Sequence, residues 1–339
     1  MFKSKKSLIL LIVCLFVIST LIAACGQKVQ STPEQNNVVE KKDAYPSKPV
    51  QLIVPYGAGG AADLIGRAAA SSIETYLGQP MIVSIKAGAA GAIGSKYVID
   101  SKPDGYTLLL GAPGAQSIKP QVSDVGYGVN DLIPIAQLNA DEILLAVKAD
   151  SPIKNIEDFI KYAKENPGKV TVGNAGAGSL QHLAAEAFAD SAGIKIKSIP
   201  FEGAGQATIS VLGGKIDAQI GHPAQLVQNI KDGQIRALVV FEPERIEALK
   251  DVPTAKELGY DVELASWKTV FAPAGTPQEV VDKLREAHNK LIEDPTFKTL
   301  LGKMGATIKY IDGPKFQEYW KLEYKKMGTL IERLGLKDK

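Results

Sequence analysis

From Val50 onward the sequence predicts an α/β protein with mainly parallel sheets, and three observations lead there. Short β-branched or apolar runs alternate with helix-length stretches, which is the pattern of strands that return to one sheet through crossover helices. Three strand-to-helix loops are rich in glycine, at the strand ends where open α/β sheets place their ligands. Helix starts and stops fall where capping chemistry puts them. No fixed-period repeat competes with this reading.

The predicted strands, in order, are 50–55, 81–85, 106–110, 143–147, 170–173, 195–199, 217–220, 237–241 and 269–272. Each is a short run of β-branched or large apolar residues bounded by glycine, proline or polar residues. The predicted helices are 61–77, 93–101, 156–166, 180–191, 204–212, 224–232, 277–293, 295–304 and 314–334. Gly78 stands just past the first helix, and Gly168 and Gly193 follow later ones, as left-handed C-terminal stops. Thr276-Pro277 reads as a capping residue before a first-turn proline. Val280, Leu284, Ala287 and Leu291 form a core-facing stripe at helical spacing.

Two segments precede the fold. Lys3, Lys5 and Lys6 lead an uncharged apolar run from Leu8 to Ala24, the layout of a secretory signal. The run is short for a membrane span and a polar stretch follows it. It ends Leu21-Ile22-Ala23-Ala24-Cys25, which resembles a bacterial lipoprotein signal with Cys25 as the lipidated residue. Stable anchoring takes more than one acyl chain, at ~0.8 kcal/mol per buried methylene. Residues 26–44 (GQKVQSTPEQNNVVEKKDA) are polar and lack aromatics, so they read as a tether. Cys14 leaves with residues 1–24, and one remaining cysteine permits no internal disulfide. Some 300 residues then rely on ordinary hydrophobic cores, usually in two domains.

Charge excludes one class of partner. The leader removes three of 39 basic residues and none of the 37 acids, which leaves a formal −1. Nucleic acid is not an expected partner, because it requires a strongly basic patch. A small anion needs only a few directed donors.

The first glycine loop is Tyr56-Gly57-Ala58-Gly59-Gly60-Ala61-Ala62-Asp63. Glycines let backbone amides approach a ligand, and the helix that follows offers its positive end. A carboxylate or phosphate is the natural guest. Asp63 in the first turn also favours the helix through the macrodipole and repels a directly bound anion, so a water between ligand and loop is expected. The second loop, Gly88-Ala89-Ala90-Gly91-Ala92-Ile93-Gly94-Ser95-Lys96, fails the Walker A spacing and reads as packing. In the third, Asn174-Ala175-Gly176-Ala177-Gly178-Ser179, Ser179 caps the next helix with His182 at its third position. Both are also candidate ligand contacts. The Ser179 surroundings do not form a nucleophile elbow.

No catalytic or metal set emerges. His182, His222 and His288 stand far apart and no cysteine cluster exists, so neither a metal nor a cofactor is expected. The rival enzyme reading is an NAD(P)-dependent oxidoreductase, since Gly57-x-Gly59-x-x-Ala62 fits the dinucleotide pattern. That pattern needs an acid at the end of the second strand, where Ser84, Ile85 and Lys86 stand. A third class is a structural or signalling lipoprotein that binds no ligand.

Seven motifs in order carry a family resemblance. They are Pro55-Tyr56-x-x-Gly59-Gly60-x-x-Asp63, Pro103-Asp104-Gly105-Tyr106-Thr107-Leu108-Leu109, Gly176-x-Gly178-Ser179-x-x-His182-Leu183, Pro200-Phe201-x-Gly203, Gly213-Gly214-x-x-Asp217, Val252-Pro253-Thr254-x-x-Glu257-x-Gly259 and Ala272-Pro273-x-Gly275-Thr276-Pro277. Together they resemble the tripartite tricarboxylate transporter receptors, or Bug-type solute-binding proteins, from Tyr45 to about residue 335. The resemblance implies a two-lobed type II periplasmic-binding-protein fold with two crossover strands, near 144–148 and 267–271. One lobe is then 45–145 with 268–339, and the other 146–267. It implies a monomeric, extracytoplasmic receptor that holds a small organic carboxylate by lobe closure and hands it to integral-membrane transporter subunits. The implied contacts are Tyr56, Gly59, Gly60, Ala61 and Asp63 on one side and Ser179, His182, Phe201, Gly203 and Asp217 on the other. Ala115, within 112–116, completes the cleft.

The chain departs from the family at two places. Ile85-Lys86-Ala87-Gly88-Ala89-Ala90-Gly91 stands where Asn-Arg-Pro-Gly-Ala-Gly-Gly is usual. Phe201 replaces a tyrosine and Glu202 a lysine, which leaves the identity of the solute open.

Overall fold

The computed structural model describes residues 44–264 and 266–337. The leader, Cys25 and the tether up to residue 43 lie outside the described residues. Among the described residues, no helix is long and apolar enough to cross a membrane.

Two sheets organise the chain. The first is built from β1 (Val50–Val54), β2 (Met81–Ile85), β3 (Thr107–Gly111), β4 (Leu132–Asp141), β10 (Ser266–Pro273) and β11 (Ile308–Asp312), in the order β11-β4-β10-β3-β1-β2. The second holds β5 (Leu144–Lys148), β6 (Thr171–Asn174), β7 (Lys197–Pro200), β8 (Ala218–Gly221) and β9 (Ile235–Val240), in the order β7-β6-β8-β5-β9. Helices α1 (Ala61–Leu77) and α2 (Ala92–Ile99) serve the first sheet. Helices α3 (Ile156–Glu165), α4 (Leu180–Ala192), α5 (Ala204–Leu212) and α6 (Pro223–Lys231) lie among the strands of the second. Helices α7 (Gln278–Leu291), α8 (Pro295–Met304) and α9 (Gly313–Arg333) close the chain.

The expectation of mainly parallel sheets is corrected: both are mixed. β1 pairs parallel with β2 and β3, and β6 with β7 and β8. β10 runs antiparallel to β3 and β4, β11 to β4, and β5 to β8 and β9. β4, β5, β9 and β10 flank the passages between sheets, and β11 joins β4 at the edge of the first sheet. Those passages run from Asp141 to Leu144 and from Val240 to Ser266. Strands 144–148 and 267–271, the expected crossings, each pair within one sheet.

Two strands escaped the sequence reading. β4 carries Pro134, which argues against a central strand. The proline is tolerated because it faces Phe271 beside a register shift between Val270 and Phe271. β11 is a five-residue edge strand between two helices. The expected Thr276 cap is also corrected: its hydroxyl donates to Pro273 O at 2.8 Å, and Pro277 occupies the N-cap of α7.

Each sheet is covered on both faces. Val50, Leu52 and Val54 join α1 and α7 in one apolar cluster, while Ile53 and Leu109 join Trp267, Phe271, Phe316 and Trp320 in another. This is the alternation that a strand covered on both faces requires. The second sheet has its own clusters, one around Val172, Phe159 and Phe188 and one around Leu144 and Leu226. Ile118, Val122, Met327, Ile331 and Leu336 also pack into the cluster around Phe188. Helix α9 therefore starts on one core and ends on the other.

Candidate functional site

The glycine loop after β1 meets the loop before α5. Gly57 N–H donates to Glu202 O at 3.2 Å. A Cβ at Gly203 would lie 2.7 Å from Gly57 N, and one at Gly205 would lie 2.5 Å from Ala58 O. Glycine here permits backbone to touch backbone across the two sheets, a contact no other residue allows. The Gly59 amide is occupied too, donating to Asp63 Oδ2 at 2.9 Å. Two of the loop's amides are thus committed within the protein.

Beside this contact lies a narrow cavity of about 30 Å³. Gly60, Ala61 and Ala62 at the start of α1 line it, as do Leu180 and Gln181 of α4 and Ala204 of α5. His222, the N-cap of α6, lines it as well. Tyr56, Ala175 and the 112–114 turn complete that part of the wall. The first amides of a helix have no partner within the helix. Among the described residues, no hydrogen bond occupies the amides of Gly60, Ala61, Ala62, Leu180, Gln181 or Ala204. Four positive helix ends from both sheets therefore converge on one cavity, an arrangement that favours an anion.

Tyr56 supports the wall. Its hydroxyl accepts from Ala115 N at 3.1 Å, and burial pushes its pKa upward. Gly91, at φ +96°, packs so that a Cβ would lie 2.8 Å from Ala115 Cβ, in keeping with a packing role for the second glycine loop.

The floor is polar and buried. Lys268 on β10 is 2% exposed and lines the cavity with Ser266 and Gln225. Its Nζ donates to Asp141 Oδ2 at 3.2 Å and to Ser266 Oγ at 2.9 Å. Asn139 Nδ2 donates to the other Asp141 oxygen. Neither Asp nor Glu lines the cavity.

His222 is held neutral. Burial, then the charge on Lys268, pushes its pKa down to about 4. Its Nδ1 lies 2.9 Å from Glu142 O, so Nδ1 carries the proton and Nε2 accepts. The Gln181 amide nitrogen, 2.9 Å from Nε2, must then be the donor. One backbone carbonyl thereby orients a glutamine on α4 through a histidine on α6.

The structure sorts the residues expected from sequence. Tyr56, Gly60 and Ala61 line the cavity. Gly203 is the N-cap immediately before the lining Ala204, and Ala115 follows the lining Gly114. Gly59 is exposed on the outer side of its loop. Asp63 is buried but accepts from Gly59 and from Arg67 Nε at 2.7 Å. Ser179 Oγ accepts from His182 N at 3.1 Å, capping α4. His182 Nδ1 accepts from Gly178 N at 3.2 Å, and burial then Lys119 lower its pKa. Phe201 packs near Gly173, and its amide donates to Asn174 O. Asp217 accepts from Thr171 N and Oγ1 at 2.8 and 2.6 Å, tying β6 to the segment entering β8. Asp63, Ser179, His182, Phe201 and Asp217 thus spend their polar groups or rings on local structure and do not line the cavity.

Sequence reasoning passed over Gln181, His222, Gln225, Ser266 and Lys268. Lys268 had a signal: a lysine inside the apolar run Trp267–Phe271 is buried only with a partner. Two other depressions flank α9. Side chains of both signs line them, including Glu263 and Lys326.

Comparison with known proteins now bears on this geometry. Residues 65–336 match the family described as tripartite tricarboxylate transporter family receptor. The periplasmic binding protein BugD superposes with a TM-score of 0.84 at 30% identity, covering 87% of this chain and 100% of that one. A protein of R. palustris solved with adipate gives 0.80 at 28% identity, covering 86% and 98%. MatC from Rhodopseudomonas palustris, solved with bound malate, gives 0.80 at 26% identity, covering 85% and 100%. The matched family and structures are solute-binding receptors rather than enzymes.

Proposed function

The chain belongs to the tripartite tricarboxylate transporter receptors, and on that premise we propose that it captures a small organic carboxylate in the cavity between its two sheets. One observation carries this reading: four helix N-termini and a buried lysine face a cavity that no acid side chain lines. The adipate and malate bound in two relatives support it.

The mechanism is lobe closure. The two sheets form the two lobes, roughly 45–145 with 268–339 and 146–267. An open form exposes the amides of Gly60 and Ala61. A ligand that touches both lobes shifts the population toward the closed form. The contact of Gly57 with Glu202 and Gly203 is then a latch made on closing. Integral-membrane transporter subunits receive the solute from the closed form. The receptor is monomeric and extracytoplasmic, anchored through lipid on Cys25. Of the residues first expected as contacts, Tyr56, Gly60, Ala61, Ala115 and Gly203 act at the cavity. Gly59, Asp63, Ser179, His182, Phe201 and Asp217 hold its loops.

The experiment is a thermal-shift series on the purified protein with mono-, di- and tricarboxylates, amino acids and NAD(P). A carboxylate raises Tm with the logarithm of its concentration above Kd. A shift with NAD(P) alone would overturn the reading, and no shift with any compound would favour a lipoprotein that binds no solute. Cys25→Ser releases the protein from the membrane if the anchor is as proposed.

A further inference from the structure

We propose that Lys268 selects a second acidic group on the solute, so that the receptor prefers a diacid to the matching monoacid; this rests on the carboxylate reading of the cavity. An ammonium carries three N–H donors. Two are used, on Asp141 Oδ2 and Ser266 Oγ. The third has no protein acceptor among the described residues, and the side chain lines the cavity. A buried donor without a partner is costly, and a charged one more so.

The cavity's donors form two separate groups. One is the set of helix-terminal amides, on the loops and helix starts. The other is Lys268, on the strand β10 that floors the cavity. One carboxylate engages the first group and leaves Lys268 with its spare proton. A second carboxylate engages both. No Asp or Glu lines the cavity and Ser266 is already bonded; the Gln225 amide oxygen, which lines the same cavity, has no partner among the described residues and makes no bond to the lysine. Asp141 sits behind the lysine, fully buried, and holds it in place.

A purely structural pair would tie β4 to β10 and have no effect on solute choice. The test separates the two roles. Isothermal titration is run with succinate, malate, glutarate and adipate, each beside its monoamide. Wild type should bind at least one diacid about 10- to 100-fold more tightly than its monoamide, the range of a charge-assisted hydrogen bond. Lys268→Met with Asp141→Asn, which removes both charges, should reduce that ratio to about 3-fold or less. Should the double variant fail to fold, Lys268→Gln, which keeps a donor toward Asp141, must show the same collapse of the ratio. Equal binding of diacid and monoamide by wild type, or an unchanged ratio in the variants, overturns Lys268 as the selector and leaves the receptor reading standing. Binding of no acid by wild type overturns the receptor reading itself.

Discussion

The solute cavity and the depression beside α9 both border the passage between the sheets, yet they manage charge in opposite ways. Lys268 and four helix starts face the first, and carboxylates are kept out of it. Glu242, Glu263 and Glu323 line the second. Burial, then the charge on Glu142, pushes the Glu242 pKa up to about 8. Burial raises Glu323 to about 7, opposed by the hydroxyl of Ser117. The lesson concerns how each region discharges its electrostatic cost. Backbone dipoles cannot give up a proton, and the positive helix ends at the cavity favour an anion. Carboxyl groups can take one, so Glu242 and Glu323 hold a proton more readily than exposed acids do.

Disturbing the loop contact should have the largest effect on solute affinity. Gly205→Val places side-chain atoms where Ala58 O stands. Solute affinity should fall by about 100-fold, or ~2.7 kcal/mol, with the circular dichroism spectrum unchanged. Retained affinity would show that the latch is incidental.

Next comes the lysine taken alone. Lys268→Met leaves Asp141 buried and uncompensated, which should cost about 3–5 kcal/mol in urea unfolding. Adding Asp141→Asn should restore much of that loss.

The acidic region gives a pH effect of opposite sign. Glu242 binds its proton more tightly folded than unfolded. Its stabilisation is complete below the ordinary carboxyl pKa and is lost as pH rises towards about 8. Glu242→Gln should therefore raise stability at pH 8 by about 2 kcal/mol relative to wild type and change little at pH 4. His222 works the other way: its lowered pKa stabilises above the ordinary histidine value and is lost as pH falls towards about 4. An alkaline limb unchanged in the variant would remove Glu242 from the comparison.

The smallest effect is expected outside both regions. Asp217→Asn should cost about 1 kcal/mol through its bonds to Thr171, within the usual worth of a hydrogen bond. Solute affinity should stay within about 2-fold, because the side chain does not line the cavity. A large loss in titration calorimetry would return Asp217 to the binding site.

The sequence alone determined the alternation of strands and helices, because side-chain periodicity and caps are local. It also placed the first and third glycine loops at strand-to-helix junctions, and it located the start of α1 and the Ser179 cap of α4 correctly. Residue type tells what a side chain can bond but not what it does bond: Asp63, His182 and Asp217, expected at the solute, are bonded to Gly59, Gly178 and Thr171. Tertiary structure decided the rest. The pairing of β4 with β10 brings Asp141 to Lys268 across 127 positions, and strand register has no local signature when a proline interrupts one partner. The close approach of Gly203 to Gly57 likewise exists only once two sheets face each other. Local chemistry sets each element, but a site made of amides and one lysine exists only where distant elements meet.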